Sequence, residues 1–138
     1  MKASIYAIAA AALLGACSTQ QPQTNADMAK AGTGAPSTPT VATDGTLIGP
    51  DGRTLYFFAR DSRGSGQSAC VDQCATNWPP LGVARTAQPM GDYAVITRAD
   101  GSKQWAYKGQ PLYYFARDAK PGDKLGQGIG GVWSVARP

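Results

Sequence analysis

The hydrophobic positions divide the chain into three zones. Residues 4–14 form one apolar run, residues 17–43 contain almost no aliphatic or aromatic side chains, and residues 44–138 alternate short apolar segments with Gly-rich turns. Short apolar segments between turn dipeptides are typical of β structure. The pattern therefore predicts one small, mainly β domain over about 44–138, preceded by two segments that lie outside its core.

One heptapeptide occurs twice in the predicted domain. Leu55–Asp61 reads LYFFARD, and Leu112–Asp118 reads LYYFARD fifty-seven positions later. This match predicts two copies of one β-hairpin or meander unit, repeat 1 over about 44–81 and repeat 2 over about 93–138. Because a unit of this size cannot close its own core, we expect the two repeats to share one core and to be related by a pseudo-twofold axis.

The repetition extends beyond the heptapeptides. Gly52 aligns with Gly109, and a Gly-rich loop leads from each heptapeptide to a tryptophan, Trp78 or Trp133. A single short helix is predicted over about 68–76, with a serine as its N-cap and consecutive prolines that stop it. Strands are expected at about 46–48, 53–59, 93–97, 103–107, 111–116 and 131–136.

The aromatic residues of the heptapeptides have a regular placement. Strand alternation puts Tyr56 and Phe58 on one face, and Tyr113 and Phe115 repeat this pair. Both faces of the segment are mostly apolar, which predicts a central strand that is covered on both sides. These side chains are therefore predicted to be core, together with the two tryptophans. An exposed aromatic platform for a ligand ring or a sugar is the open alternative.

Each heptapeptide ends in an aspartate, Asp61 or Asp118. A carboxylate at the end of a strand can accept backbone N–H groups from the loop that follows, which is the expected role here. Pairing with Arg60 or Arg117 of the other unit is a further possibility. A metal-binding or catalytic pair stays open, because acid–base work by two carboxylates requires them to lie close together.

Cys70 and Cys74 have a C-x₃-C spacing. On one turn of helix their Cα atoms would lie about 6 Å apart, within the range that a disulfide tolerates. In an oxidising compartment a structural disulfide is the expectation. Redox or Cu(I) chemistry is the alternative, since thiolates suit Cu(I), although the chain contains no histidine to complete such a site.

The charges of the chain exclude some classes of function. Thirteen Lys and Arg residues stand against nine acidic residues, and the cations are scattered singly. Nucleic-acid binding would need a basic cluster and is not expected. The lack of histidine removes the usual catalytic triads, and the Gly-rich segment 126–131 lacks the order of a phosphate-binding loop. No catalytic residue, cofactor or metal is predicted.

The N-terminal segment is typical of an export signal. Lys2 precedes the apolar run, which is too short to cross a bilayer as a helix. The run ends in the tetrapeptide Leu14–Cys17, an aliphatic residue, two small residues and a cysteine. This tetrapeptide resembles the lipobox of bacterial lipoproteins.

The resemblance to a lipobox implies how the protein reaches and holds a membrane. Residues 1–16 would be removed as a signal peptide, and Cys17 would carry acyl chains that anchor the protein stably. Residues 17–43 would form a disordered tether, since they cannot bury enough apolar surface to fold. Ser18 implies sorting to the outer membrane if the source is Gram-negative. The membrane is then a partner, while a protein or small-molecule ligand is not identified.

The heptapeptides themselves resemble a known family. Their spacing matches the Y-x-[FWY]-x-x-D motif of predicted bacterial lipoproteins described as a secreted repeat of unknown function. The matching positions are Tyr56, Phe58 and Asp61 in repeat 1 and Tyr113, Phe115 and Asp118 in repeat 2. Segments 70–81 and 121–124 are also similar. Ser134 stands where many members have a histidine, so no role of that histidine carries over.

These observations favour an envelope lipoprotein that acts as a non-catalytic binding or structural module. The family implies no established activity. The alternative is a periplasmic redox or copper-handling protein that uses Cys70 and Cys74. A hydrolase using Asp61 and Asp118 is a third hypothesis.

Overall fold

The computed structural model describes residues 38–84 and 87–138. The predicted signal peptide, the lipidation site Cys17 and most of the predicted tether lie outside the described residues, so these expectations remain predictions. Within the described ranges, no helix has the length and apolar character needed to cross a membrane.

The described part of the chain is mainly β, with one short α-helix next to the cysteines, as the sequence predicts. Its elements are β1 (Thr40–Val41), β2 (Leu47–Ile48), β3 (Tyr56–Phe58), α1 (Gln73–Asn77), β4 (Tyr93–Thr97), β5 (Lys103–Tyr107), β6 (Gln110–Pro111), a 3₁₀ turn at Ile129–Gly131 and β7 (Trp133–Val135).

Several bounds differ from the prediction. β4 and β5 coincide with it, but the strand expected at 53–59 is shortened to β3, and β6 overlaps the strand expected at 111–116 only at Pro111. In the second heptapeptide, Tyr113 pairs only through isolated bridges, with Tyr56 and Pro80. β1 pairs with β2 and lies inside the segment predicted as a tether, so β structure begins before residue 44.

The helix prediction was wrong at its start. α1 begins at Gln73, and Asp72 before it has a positive φ of 52°, which breaks the helix on its N-terminal side. Ser68 is not an N-cap, because its hydroxyl bonds to side chains of the second repeat. Cys70 therefore lies outside the helix, in an extended approach to it.

The strands of the two repeats pair reciprocally. β3 of repeat 1 pairs with β7 of repeat 2 in antiparallel register, with Phe58 opposite Trp133. At the equivalent place, the second heptapeptide receives the Trp78 segment of repeat 1. Its backbone bonds are Tyr114 N–H to Pro79 O at 2.7 Å and Ala116 N–H to Asn77 O at 2.9 Å. Each repeat thus completes the sheet of the other.

A cycle of three backbone hydrogen bonds closes each half of the core. Leu47 N–H donates to Ala136 O at 2.9 Å, Ala136 N–H to Leu55 O at 2.8 Å, and Leu55 N–H to Leu47 O at 2.9 Å. All three residues have no solvent exposure. The corresponding cycle joins Trp105, Leu81 and Leu112. The two cycles confirm two pseudo-symmetric repeats in one domain.

Candidate functional site: the paired motif residues

Each motif tyrosine bonds to the motif aspartate of the other repeat. Tyr56 donates its hydroxyl hydrogen to Asp118 Oδ2 at 2.6 Å, and Tyr113 donates to Asp61 Oδ2 at 2.6 Å. The backbones of the two tyrosines also exchange hydrogen bonds, at 2.8 and 3.1 Å. Such exchange marks a hydrogen-bonded antiparallel pair, here at the centre of the pseudo-twofold.

The second oxygen of each aspartate holds the loop that follows it. Asp61 Oδ1 accepts the backbone N–H of Ala69 at 2.6 Å, and Asp118 Oδ1 accepts that of Leu125 at 3.0 Å. This is the loop-capping role that the sequence suggests. Each carboxylate thereby joins its own loop to the tyrosine of the opposite repeat.

Asp61 and Asp118 do not pair with the arginines of the heptapeptides, which were the alternative partners. Arg60 and Arg117 are exposed. Among the described residues, the salt bridges are Arg53 to Asp51 and Lys124 to Asp44.

Burial shifts the pKa values of the motif tyrosines and of Asp61. Burial, and then the bond to Asp61, raises the pKa of Tyr113 above its ordinary value, and burial and Asp118 act in the same way on Tyr56. The pKa of Asp61 is also raised by burial, against which the bonds from Tyr113 and Ala69 act. Both phenols therefore stay protonated at neutral pH and act as hydrogen-bond donors to the aspartates.

Four aromatic rings of the two repeats form one continuous stack. Phe58 lies on Trp133 with ring centroids 4.3 Å apart, and Phe115 lies on Trp78 at the same distance. The two tryptophans meet in the middle at 3.7 Å, with planes 4° apart. Stacked aromatic pairs contribute about 0.5–1.5 kcal/mol to stability beyond their buried area. The stack is therefore a second interaction that holds the two repeats together, besides the hydrogen bonds between tyrosines and aspartates.

All of these aromatic side chains are buried. Tyr56 and Tyr113 have no exposed surface, and the tryptophans are 5% and 6% exposed. The alternative of an exposed aromatic platform is therefore wrong. The rings are core because this face of each heptapeptide packs against the other repeat, whereas Phe57 and Tyr114 on the opposite face are half-buried.

A buried arginine extends the network on one side only. Arg98 is 6% exposed, and its guanidinium donates to Ser68 Oγ at 2.9 Å, Gln104 Oε1 at 2.7 Å and Cys70 O at 2.6 Å. Ser68 Oγ in turn lies 2.7 Å from the hydroxyl of Tyr113. Nothing along the chain distinguishes Arg98 from the other scattered cations, so the sequence does not predict its role.

Cys70 and Cys74 form the expected disulfide, with Cα atoms 5.2 Å apart. Cys70 has no exposed surface and belongs to the aromatic cluster, while Cys74 is partly buried against it. The bridge therefore holds the start of α1 against the stacked rings. Within the described ranges, no three Cys or Asp side chains gather into a group that could hold a metal ion.

The fold and the paired motif residues define a small β module that is built from one duplicated unit. A family model described as a secreted repeat of unknown function matches residues 39–82 and again residues 94–137, and the chain belongs to this family. The two matches coincide with the two structural repeats, and the family suggests an extracellular or envelope location. No curated protein and no solved structure matches the chain.

Proposed function

We propose that the protein is a lipid-anchored, non-catalytic module of the cell envelope that binds or supports another envelope component. Cys17 carries the lipid, the segment between Cys17 and β1 tethers the domain, and in a Gram-negative source Ser18 directs it to the outer membrane. The anchor rests on the lipobox-like tetrapeptide at Leu14–Cys17 and on the stability that several acyl chains give.

The absence of catalysis rests on one observation. The tyrosines and aspartates of the motif, which are its most reactive groups, are buried and bonded to each other across the repeats. A catalytic acid or base must reach its substrate within hydrogen-bond distance. Because Asp61 and Asp118 are 8% and 3% exposed, they support the fold and not a hydrolytic reaction. Binding of another envelope component would then involve the exposed side chains of the domain.

The redox alternative is weakened by the placement of the disulfide. Thiol exchange needs a sulfur that an attacking thiolate can reach. Cys70 is completely buried and its carbonyl is bonded to Arg98, which leaves only the partly buried Cys74 to an attacking thiolate. A structural bridge fits this environment better than one that cycles between oxidised and reduced states.

Membrane fractionation tests the anchor. The wild-type protein is expected in the membrane fraction, with a mature mass that shows acylation at Cys17. Cys17→Ser is expected to release the protein from the membrane or to block its processing, while Thr19→Ala leaves both unchanged. Equal membrane association of the two variants, both as cleaved chains without acyl groups, would refute anchoring by lipid.

Titration of free thiols tests the redox alternative. Protein purified from the envelope is expected to show no free thiol at Cys70 and Cys74. Its copper content is expected to be the same in the wild type and in the Cys70→Ser/Cys74→Ser variant. A mixture of oxidised and reduced protein in growing cells, or copper that is lost with the cysteines, would favour the redox function instead.

A further inference from the structure

A basic cleft opens at the surface where the β5–β6 turn meets the loop after the first heptapeptide. Its volume is about 390 Å³. Its lining combines two aromatic rings with three cations from three separate segments: Phe57, Arg63, Tyr107, Lys108, Gln110, Arg137 and Pro138. No acidic side chain lines it, and a terminal carboxylate at Pro138 would still leave an excess of positive charge.

The walls of the cleft are fixed by contacts between the two repeats. Gly64 N–H donates to Gly109 O at 2.8 Å. A Cβ atom at Gly109 would lie 2.8 Å from the same nitrogen, so only glycine allows this approach. Next to this contact, Arg63 Nη2 donates to Gln110 Oε1 at 2.7 Å. The guanidinium of Arg63 is thereby held at the rim, with further N–H donors available.

The other two cations are also oriented. Arg137 Nη1 donates to the backbone oxygen of Asp44 at 2.8 Å. The ammonium of Lys108 lies 5.2 Å from the ring centroid of Tyr107. Among the described residues, neither of these side chains nor Arg63 has a carboxylate within salt-bridge distance.

The pseudo-twofold shows what the cleft lacks. A shift of fifty-seven positions relates Lys108 to Asp51 and Gln110 to Arg53. At that equivalent corner, Asp51 Oδ2 accepts from Arg53 Nε at 2.6 Å, and the guanidinium lies 4.2 Å from the ring centroid of Tyr114. The corner is thus closed by an arginine, an aromatic ring and a carboxylate of the chain itself.

The cleft contains the same kinds of side chain except the carboxylate. Phe57 stands in the place of Tyr114, and Arg63 supplies a guanidinium, but Lys108 replaces the acid with a base. We propose that an oxyanion from outside the chain occupies this position, carried by a small organic phosphate whose body lies against the aromatic floor. This inference rests on the proposed binding role and supplies its ligand class.

The size and the donors of the cleft fit such a ligand. Pockets for small molecules commonly enclose about 300–1,000 Å³, so the cleft accommodates a phosphate together with an attached group. The planar fork of arginine matches two phosphate oxygens at once, which a lysine cannot do. The ligand is either a free phosphate ester or the phosphodiester headgroup of a lipid, and the two sources share this chemistry.

Binding is measured on the full chain with two soluble probes. The first is glycerol 3-phosphate, with glycerol as its neutral control. The second is monomeric dihexanoyl phosphatidylglycerol, with dihexanoyl phosphatidylcholine as the control that lacks net charge. We expect saturable binding of at least one anionic probe in the millimolar range or tighter, and no binding of either control. Binding of only the second probe identifies a lipid headgroup as the source.

Two variants with the same charge change test the location. Lys108→Asp restores the acid of the equivalent corner, and aspartate tolerates the positive φ of 47° at this position. It is expected to weaken binding at least about tenfold, as the loss of a close charge pair does. Lys120→Asp makes the same change on an exposed loop of repeat 2 and is expected to weaken binding less than about twofold, as distant surface charges do.

The outcomes separate this inference from the proposed function. Equal weakening in both variants means general attraction of anions to a basic surface and overturns the cleft as a site. No binding of either anionic probe also overturns it. Neither result touches the anchored, non-catalytic role, which membrane fractionation tests separately. A loss of binding in Lys108→Asp with an unchanged unfolding midpoint supports the proposal.

Discussion

Replacing Tyr113 by phenylalanine removes one hydroxyl from the centre of the domain, which leaves Asp61 Oδ2 without its hydrogen bond and Ser68 Oγ with one partner fewer. The hydroxyl donates to Asp61 Oδ2 at 2.6 Å and lies 2.7 Å from Ser68 Oγ. Hydrogen bonds to charged groups contribute about 1.5–3 kcal/mol, and a buried group that loses its partner keeps its desolvation penalty. We therefore expect Tyr113→Phe to lower the free energy of unfolding by about 2–3 kcal/mol.

The loss is large relative to the stability of an ordinary domain, which is about 5–15 kcal/mol. Urea unfolding followed by tryptophan fluorescence measures it, because the buried tryptophans Trp78, Trp105 and Trp133 become exposed to water when the domain unfolds. The slope of the unfolding curve is expected to stay unchanged, so that the midpoint alone reports the loss.

Tyr93→Phe is the matched control. The ring of Tyr93 packs against Trp105 and Tyr107, but its hydroxyl makes no hydrogen bond to the described residues. Its removal should change the free energy of unfolding by less than about 0.5 kcal/mol, as for most changes away from buried partners. If the two variants lower the midpoint equally, the cross-repeat bond does not hold the repeats together, and our interpretation of the motif is wrong.

Three further predictions concern the same cluster. Trp133→Phe should abolish the coupled far-ultraviolet circular dichroism signal that two tryptophan rings at 3.7 Å produce; an unchanged signal would contradict the stack. Gly126→Ala should lower stability by about 1–3 kcal/mol through overpacking, since a Cβ there would lie 2.7 Å from the ring of Trp78, whereas Gly82→Ala, with nothing within 4 Å, should be nearly neutral in the same unfolding assay. Because the folded pKa of Tyr113 is raised above 10.0, its contribution to stability is fully present below that pH and is lost as the pH rises through the folded pKa. The part of the phenolate absorbance that belongs to Tyr113 should then appear only together with unfolding at high pH, and ionisation of all tyrosines in the folded protein would refute this.

The sequence was most informative where the physics is local or repeated. The duplicated heptapeptide predicted two pseudo-symmetric units, and strand alternation predicted that Tyr56 and Phe58 share a face. The Asp-Gly turn between β4 and β5 predicted that hairpin to the residue. The short spacing of Cys70 and Cys74 predicted their disulfide.

The sequence was less informative where partners lie far apart along the chain. Tyr56 and Asp118 are separated by 62 positions. Neither secondary-structure propensity nor hydrophobic periodicity predicts that each tyrosine binds the aspartate of the opposite repeat. The same holds for Arg98, which meets Ser68 only because the two repeats pack together. The predicted helix start was wrong because the hydroxyl of Ser68, the expected N-cap, forms hydrogen bonds with Tyr113 and Arg98 instead.

The reciprocal exchange of strands between the repeats has a consequence for any shortened gene. A gene that encodes a single repeat would produce a polypeptide with an unpaired heptapeptide edge and an unpaired tryptophan segment. In this product, the edge of one molecule could pair only with the tryptophan segment of a second molecule. Such a half-length product should assemble as a symmetric homodimer, since a twofold interface is self-complementary. The present chain can then be understood as that dimer fused into one polypeptide, after which its two halves were free to diverge at corners such as Asp51 and Lys108.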